Sequence, residues 1–138
     1  MPPTPVPAVV AAVLRGPNPA VIASVRADGS PHSTATWYDW EDGRVLLSMD
    51  DSRLRLRFLR HDPRVSLTVL DAENWYRHIT LTGRIAELYP DRDLVDIDRL
   101  AHRYRGEPYG NRTAPRTSAW MSVDAWHGWD GNRPFTAE

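Results

Sequence analysis

Short runs of β-branched and apolar residues alternate with turn signals along most of this chain, and that rhythm constrains the fold more than any other feature. PAVIASVRA (19–27), PHSTATWYD (31–39) and GRVLLSM (43–49) are separated by DGS at 28–30 and EDG at 41–43, the pattern of an antiparallel meander. RVSLTVL (64–70) and the long WYRHITLTGRIAEL (75–88) resume it, with Gly83 predicted at a bulge, and TSAWMSVDAWHGW (117–129) is the sixth run. Three helices are expected between them. PAVVAAVLRG (7–16) has Pro at its first turn and Gly16 at its end, and SRLRLRFLRHD (52–62) starts from Asp51 or Ser52 as N-cap and stops before Pro63. PDRDLVDIDRLAHRY (90–104) gathers Leu94, Ile97, Leu100 and Ala101 on one stripe. Six strands with short helices outside predict a mainly β fold, a small antiparallel barrel, because closure removes exposed edges.

At 138 residues the chain suits one domain spanning 1–138, with a core over about 8–129 and a tail at 130–138. The formal net charge is −1, so no global basic field of the kind that draws nucleic acid is present, and anion binding has to be local. All 17 basic residues are Arg. Without Cys there are no disulfides, thiolate metal sites or cysteine nucleophiles. MPPTPVP lacks a basic targeting region, and no apolar run approaches the ~20 residues of a membrane span. A soluble, cytoplasmic protein is expected.

The run PHSTATWYDW reads as a strand by composition but lacks a single apolar face. Alternation puts His32, Thr34, Thr36 and Tyr38 on one side and Ser33, Ala35 and Trp37 on the other. What such a strand faces is the functional question. After the third strand, Ser48, Ser52, Arg53 and Arg55 gather at a helix entrance, where free N–H groups and the dipole favour an anion. Arg53 and Arg55 make a clamp only if the helix starts late; otherwise the Arg run is a solvated basic face. Trp37 and Trp40 are either core aromatics or stackers. His61, His102 and His127 read as structural. Asp91, Asp93, Asp96 and Asp98 read as an acidic first turn with a solvated face, so no metal is expected. Ser118 and Ser122 lack a nucleophile motif such as GxSxG.

Four blocks, VIASVRADGSPHSTATWY, RFLRHDPRVSLTVLD, ENWYRHITLTGRI and IDRLAHRYRGEPYG, resemble in order those of the pyridoxamine 5'-phosphate oxidase-like split β-barrel proteins, specifically the branch using the deazaflavin coenzyme F420. The resemblance spans about residues 8–129 and implies a six-stranded split barrel, FMN-binding in type. It also implies a homodimer holding two flavin-type cofactors at the subunit interface. His32, Thr34, Thr36 and Trp37 would then line the ring and ribityl chain. Ser48, Met49, Ser52, Arg53 and Arg55 would form the phosphate segment, Arg55 standing where relatives usually carry Lys. Phe58 replaces an Asn common in relatives. Trp75, Tyr76, Arg77 and His78 match the block that reaches across from the partner subunit.

The implied activity is hydride transfer between reduced F420 and a small conjugated substrate with a C=C or C=N bond, with no residue assigned as catalytic. The alternatives are an FMN-dependent reductase or oxidase of the same fold and a non-catalytic cofactor-binding protein. The expected partners are a second copy of the chain and a small-molecule substrate, without nucleic acid or membrane.

Overall fold

Burial of a single tyrosine turns the expected six strands into seven. The computed structural model describes residues 5–136. In chain order the elements are α1 (Ala8–Arg15), β1 (Ala20–Val25), β2 (Pro31–Thr36), β3 (Asp39–Glu41), β4 (Arg44–Asp50), α2 (Leu54–His61), β5 (Arg64–Leu70), β6 (His78–Pro90), α3 (Val95–Arg105) and β7 (Arg116–Trp129). The run expected over 31–39 breaks at Trp37 and Tyr38. Tyr38 is fully buried, with its hydroxyl 2.8 Å from Leu14 O and 3.1 Å from Gly16 O. Sinking that ring into the core takes the backbone out of the ladder, so β2 and β3 form separately.

Every pairing is antiparallel, and the strands lie in the order β2-β1-β5-β6-β7-β4-β3. The two edges, β2 and β3, are consecutive in the chain and joined only through Trp37 and Tyr38. The sheet therefore curls back on itself without a hydrogen-bonded seam, which is the split of the barrel. Arg103 braces this corner. Its guanidinium donates to Tyr38 O, Arg15 O, Leu14 O and Gly16 O, tying α3 to the carbonyl end of α1.

Inside the barrel, Ile22, Leu47, Met49, Leu67, Val69, Ile79, Leu81 and Trp126 are essentially inaccessible to solvent. Each such large apolar side chain contributes about 1.5–3 kcal/mol of transfer free energy. Gly83 sits at a register shift between β6 and β7, as expected, and a second shift occurs between Ile85 and Glu87. A methyl group on Gly83 would lie 1.8 Å from the backbone oxygen of Ser122, so the crossing admits only glycine.

Helix boundaries depart from expectation for identifiable reasons. Neither Asp51 nor Ser52 caps α2: Ser52 turns its N–H and hydroxyl to Asp50 Oδ1, and the helix begins after Arg53. Pro90 belongs to β6, and α3 starts at Val95 behind Leu94, whose φ is +58°. The acidic run is not simply a solvated face. Asp91 is buried and accepts from Ile97 N at 2.9 Å and Asp96 N at 3.3 Å, capping α3 from outside it. Asp96 accepts the hydroxyls of Ser118 and Tyr89. Trp75, Tyr76 and Arg77 lie in a turn before β6, not in the strand. No helix among the described residues is long and apolar enough to cross a membrane.

Candidate functional site

The polar strand β2 faces a cavity. Its register pairs His32 with Ser24, Thr34 with Ile22 and Thr36 with Ala20, so these three polar side chains lie on the face that is apolar in β1. As β2 is an edge, nothing covers them completely, and all three are half-buried. They line a cavity of about 850 Å³, together with Trp37 and, across it, Ser48, Ser52, Arg53 and Arg55. Eight of the residues singled out in the sequence thus converge on one space.

Met49 does not join them. Alternation along β4 sends Val45, Leu47 and Met49 into the barrel and Leu46, Ser48 and Asp50 to the opposite face, so Met49 is a core residue, 1% exposed. Phe58 also lies outside the cavity lining; its ring makes a T-shaped contact with His32, centroids 5.2 Å apart, and lies under Arg26. Trp75 and Tyr76 stack on each other at 4.5 Å, are 64% and 62% exposed, and stand away from the cavity of their own chain. Arg77 lies over Phe135, and His78 Nδ1 is 2.8 Å from Tyr76 O.

The late start of α2 settles the geometry of the arginines. Arg53 stands in extended backbone before the helix, with ψ 135°, while Arg55 is on its first turn, so helical spacing does not separate the two. Arg55 is buried, and its Nη2 donates to Ser48 O at 3.0 Å. Its Nε–H, also buried, meets no acceptor among the described residues. Burial, then the neighbouring charges of Arg53 and Arg116, push its pKa down to about 10. A guanidinium so placed is a strong receptor for an incoming anion. Asp50 is engaged by Ser52, whose N–H and hydroxyl hold its carboxyl below the ordinary carboxylate range.

Three further lining residues were not singled out as site residues. Arg116 opens β7 and donates through Nε to Ser48 Oγ at 3.1 Å. Tyr104 stacks on Trp37, with centroids 5.4 Å apart and planes 7° from parallel, and Tyr109 meets Trp37 edge-on at 6.2 Å. Both tyrosines fall in or beside the RYRGEPY block, which carried the resemblance without assigning them a place in the site. For Arg116 the only signal is strand register, which pairs it with Asp50 and which one strand's sequence does not reveal.

The cavity therefore joins two kinds of lining, guanidinium groups around Ser48 and an aromatic wall of Trp37, Tyr104 and Tyr109, which meet where Arg116 lies over the Tyr109 ring. Such an arrangement suits a planar ring that carries an acidic ester. The residues fit a flavin-type group: Arg55 brings a buried donor without an acceptor among the described residues, and Thr34 and Thr36 add hydroxyl-bearing side chains to the lining.

Comparison with known proteins agrees with the fold. The chain is similar to an F420 reductase at 26% identity, over 83% of this chain and 93% of that one, with a TM-score of 0.76. It has the fold of a conserved hypothetical protein from Mycobacterium tuberculosis, at 24% identity over 94% of this chain and 88% of that one, with a TM-score of 0.73. General stress protein 26 of Bacillus anthracis shares the fold at 17% identity, covering 88% of this chain and 91% of that one, with a TM-score of 0.65. The profile described as pyridoxamine 5'-phosphate oxidase matches residues 6–130, which spans the barrel from α1 through β7, and the chain belongs to that family.

Proposed function

We propose that this protein is an F420-dependent oxidoreductase that moves a hydride between reduced deazaflavin and a small conjugated C=C or C=N substrate. The observation that carries the reading is the cavity itself, lined by a buried Arg55 whose Nε–H meets no acceptor among the described residues and by an adjoining aromatic wall. Similarity to an F420 reductase supports the choice of cofactor.

When bound, the deazaflavin supplies the electron pair. The chain's own residues do the rest. Arg53 and Arg55 bind the phosphate, with Ser48 and Ser52 beside them. His32, Thr34 and Thr36 line the ribityl chain, and Trp37 lines the ring. Rate enhancement comes from orientation and from exclusion of water by the aromatic wall, which fits a site without an evident acid/base pair.

Assembly is part of the proposal. The outward face of the sheet presents Ser33 and Ala35 from β2, Val21 and Ala23 from β1, Ser66 and Thr68 from β5, and Thr80 and Thr82 from β6, a continuous surface without charge. Residues of this kind permit close approach of a second sheet. A homodimer packed there would give the exposed Trp75–Tyr76 pair a role at the partner's cavity, since it has none at its own.

The test is a fluorescence titration with F420 and, in parallel, with FMN, on protein whose mass is checked by light scattering. Micromolar or tighter binding of F420 by a dimer is the expected result. Preference for FMN would replace the deazaflavin with a flavin, and binding of neither would overturn the reading.

A further inference from the structure

Two guanidinium groups from distant parts of the chain meet at one serine. Arg55, on α2, donates to the carbonyl oxygen of Ser48 at 3.0 Å, and Arg116, at the start of β7, donates to its hydroxyl at 3.1 Å. Arg53 lines the same end of the cavity. None of the three forms an ion pair among the described residues, although nine ion pairs are made elsewhere by other arginines. Asp50 sits directly opposite Arg116 in the β4–β7 ladder; its Oδ1 accepts the N–H and hydroxyl of Ser52, and the charges of Arg116 and Arg53 help to hold its carboxyl below the ordinary range. The other neighbouring acid, Asp51, accepts the Thr117 hydroxyl at 2.7 Å, so three guanidiniums outnumber the two carboxylates beside them and the site keeps a positive excess that an anion would offset.

Resting on the cofactor reading above, we propose that Arg116 is a cofactor-binding residue, the second arm of a clamp with Arg55 that closes on the anionic group of the ligand at Ser48. The register explains how this works. Because Arg116 faces Asp50 and is diagonal to Ser48 on the same side of the sheet, its guanidinium projects toward the α2 entrance rather than into the barrel. It is oriented by two fixed contacts, Nε to Ser48 Oγ and Nη1 to Tyr109 Oη at 3.4 Å, and Nη2 has no partner among the described residues. Arg116 also lies over the Tyr109 ring at 4.7 Å, so the anion end of the cavity and its aromatic wall share one side chain. A lysine would keep the charge but cannot hold Ser48 and Tyr109 and still present a donor to the ligand.

The test compares wild type with Arg116→Ala, Arg116→Lys and Arg105→Gln, the last removing an exposed arginine of α3 outside the cavity, in fluorescence titrations with F420 and FMN. Expected are at least a tenfold loss of affinity in Arg116→Ala, at least threefold in Arg116→Lys, and none in Arg105→Gln. Wild-type binding matched within twofold by Arg116→Ala overturns the clamp while leaving the cofactor reading intact. Should Arg116→Ala not fold, Arg116→Lys decides: unchanged affinity overturns the proposal. If wild type binds neither cofactor, the cofactor reading fails, and inorganic phosphate becomes the probe. A thermal shift with phosphate that Arg116→Lys loses then sustains an anion clamp, and no shift in wild type overturns it.

Discussion

Replacing Arg55 with Met should separate stability from binding, because this side chain is unfavourable in the free protein and useful only with an anion beside it. Burial and the charges of Arg53 and Arg116 lower its pKa from the ordinary arginine value to about 10, which corresponds to about 3 kcal/mol against the charged form in the folded state. The unfolded chain binds more protons than the folded one only between those two values, so stability attributable to this group rises with pH there and nowhere lower. At ordinary assay pH the penalty is fully present. Against it stands one charge-assisted hydrogen bond to Ser48 O, worth about 1.5–3 kcal/mol. The two nearly cancel, so Arg55→Met, which keeps the packing volume and removes the charge, should change apo stability by less than about 1 kcal/mol or raise it. Loss of the contact to the ligand should weaken affinity by about 1.5–3 kcal/mol, roughly ten- to 150-fold. Denaturant melts of the apo protein and F420 titrations measure the two quantities independently. A variant clearly less stable than wild type but with unchanged affinity would refute the reasoning, since it would make Arg55 a structural residue.

Gly83→Ala should destabilise the barrel by at least about 2 kcal/mol in urea melts, because its methyl group would be forced onto the Ser122 backbone oxygen at the β6–β7 crossing. Asp91→Ala should lose about 0.5–2 kcal/mol through the open end of α3, with little effect on cofactor affinity, as read by melting and titration together. Hydrogen bonds from Arg64 depress the Asp62 carboxyl to about 2, so its stabilising contribution is present above the unfolded value near 3.9 and is lost as pH falls toward 2. Asp62→Asn should flatten that acid limb in pH-dependent melts. Ser33→Arg, on the uncharged outer sheet face proposed as the dimer interface, should shift the light-scattering mass from that of the proposed dimer to that of a monomer while leaving the circular dichroism unchanged.

How much of this was legible in sequence depended on whether the signal was local. β5 and β7 follow from alternation almost residue for residue, and Gly83 was marked by its place inside a β-branched run. The strand break at Tyr38 was not readable, because period-two alternation places Tyr38 beside His32 and Thr36 and says nothing of the carbonyls of Leu14 and Gly16 that receive its hydroxyl. Met49 illustrates the opposite error. The resemblance groups it with Ser48 in one segment, whereas in a strand the side chains of adjacent residues point to opposite sides. The aromatic and β-prone composition of Trp75, Tyr76 and Arg77 predicts strand, yet Asn74 N and Arg77 N close a turn onto Asp71 O and Asn74 O. Arg116 was invisible for a different reason: its significance lies in the pairing of β7 with β4, a contact between residues far apart in the chain.

The uncovered polarity of β2 ties these points together. An edge strand carrying His32, Thr34 and Thr36 on the side where its neighbour carries Ser24, Ile22 and Ala20 gains little from burial and leaves backbone groups open on its free side. A protein selected for stability alone would place apolar residues there and pair β2 with β3 across the two residues that join them. Instead Tyr38 is anchored to α1, Arg103 fastens α3 over that anchor, and the edges are held apart. The structural expense is thus concentrated on keeping one gap open, and the gap is where the guanidiniums and the aromatic wall converge. That concentration is the physical argument for treating the split as a binding site rather than an imperfectly closed barrel.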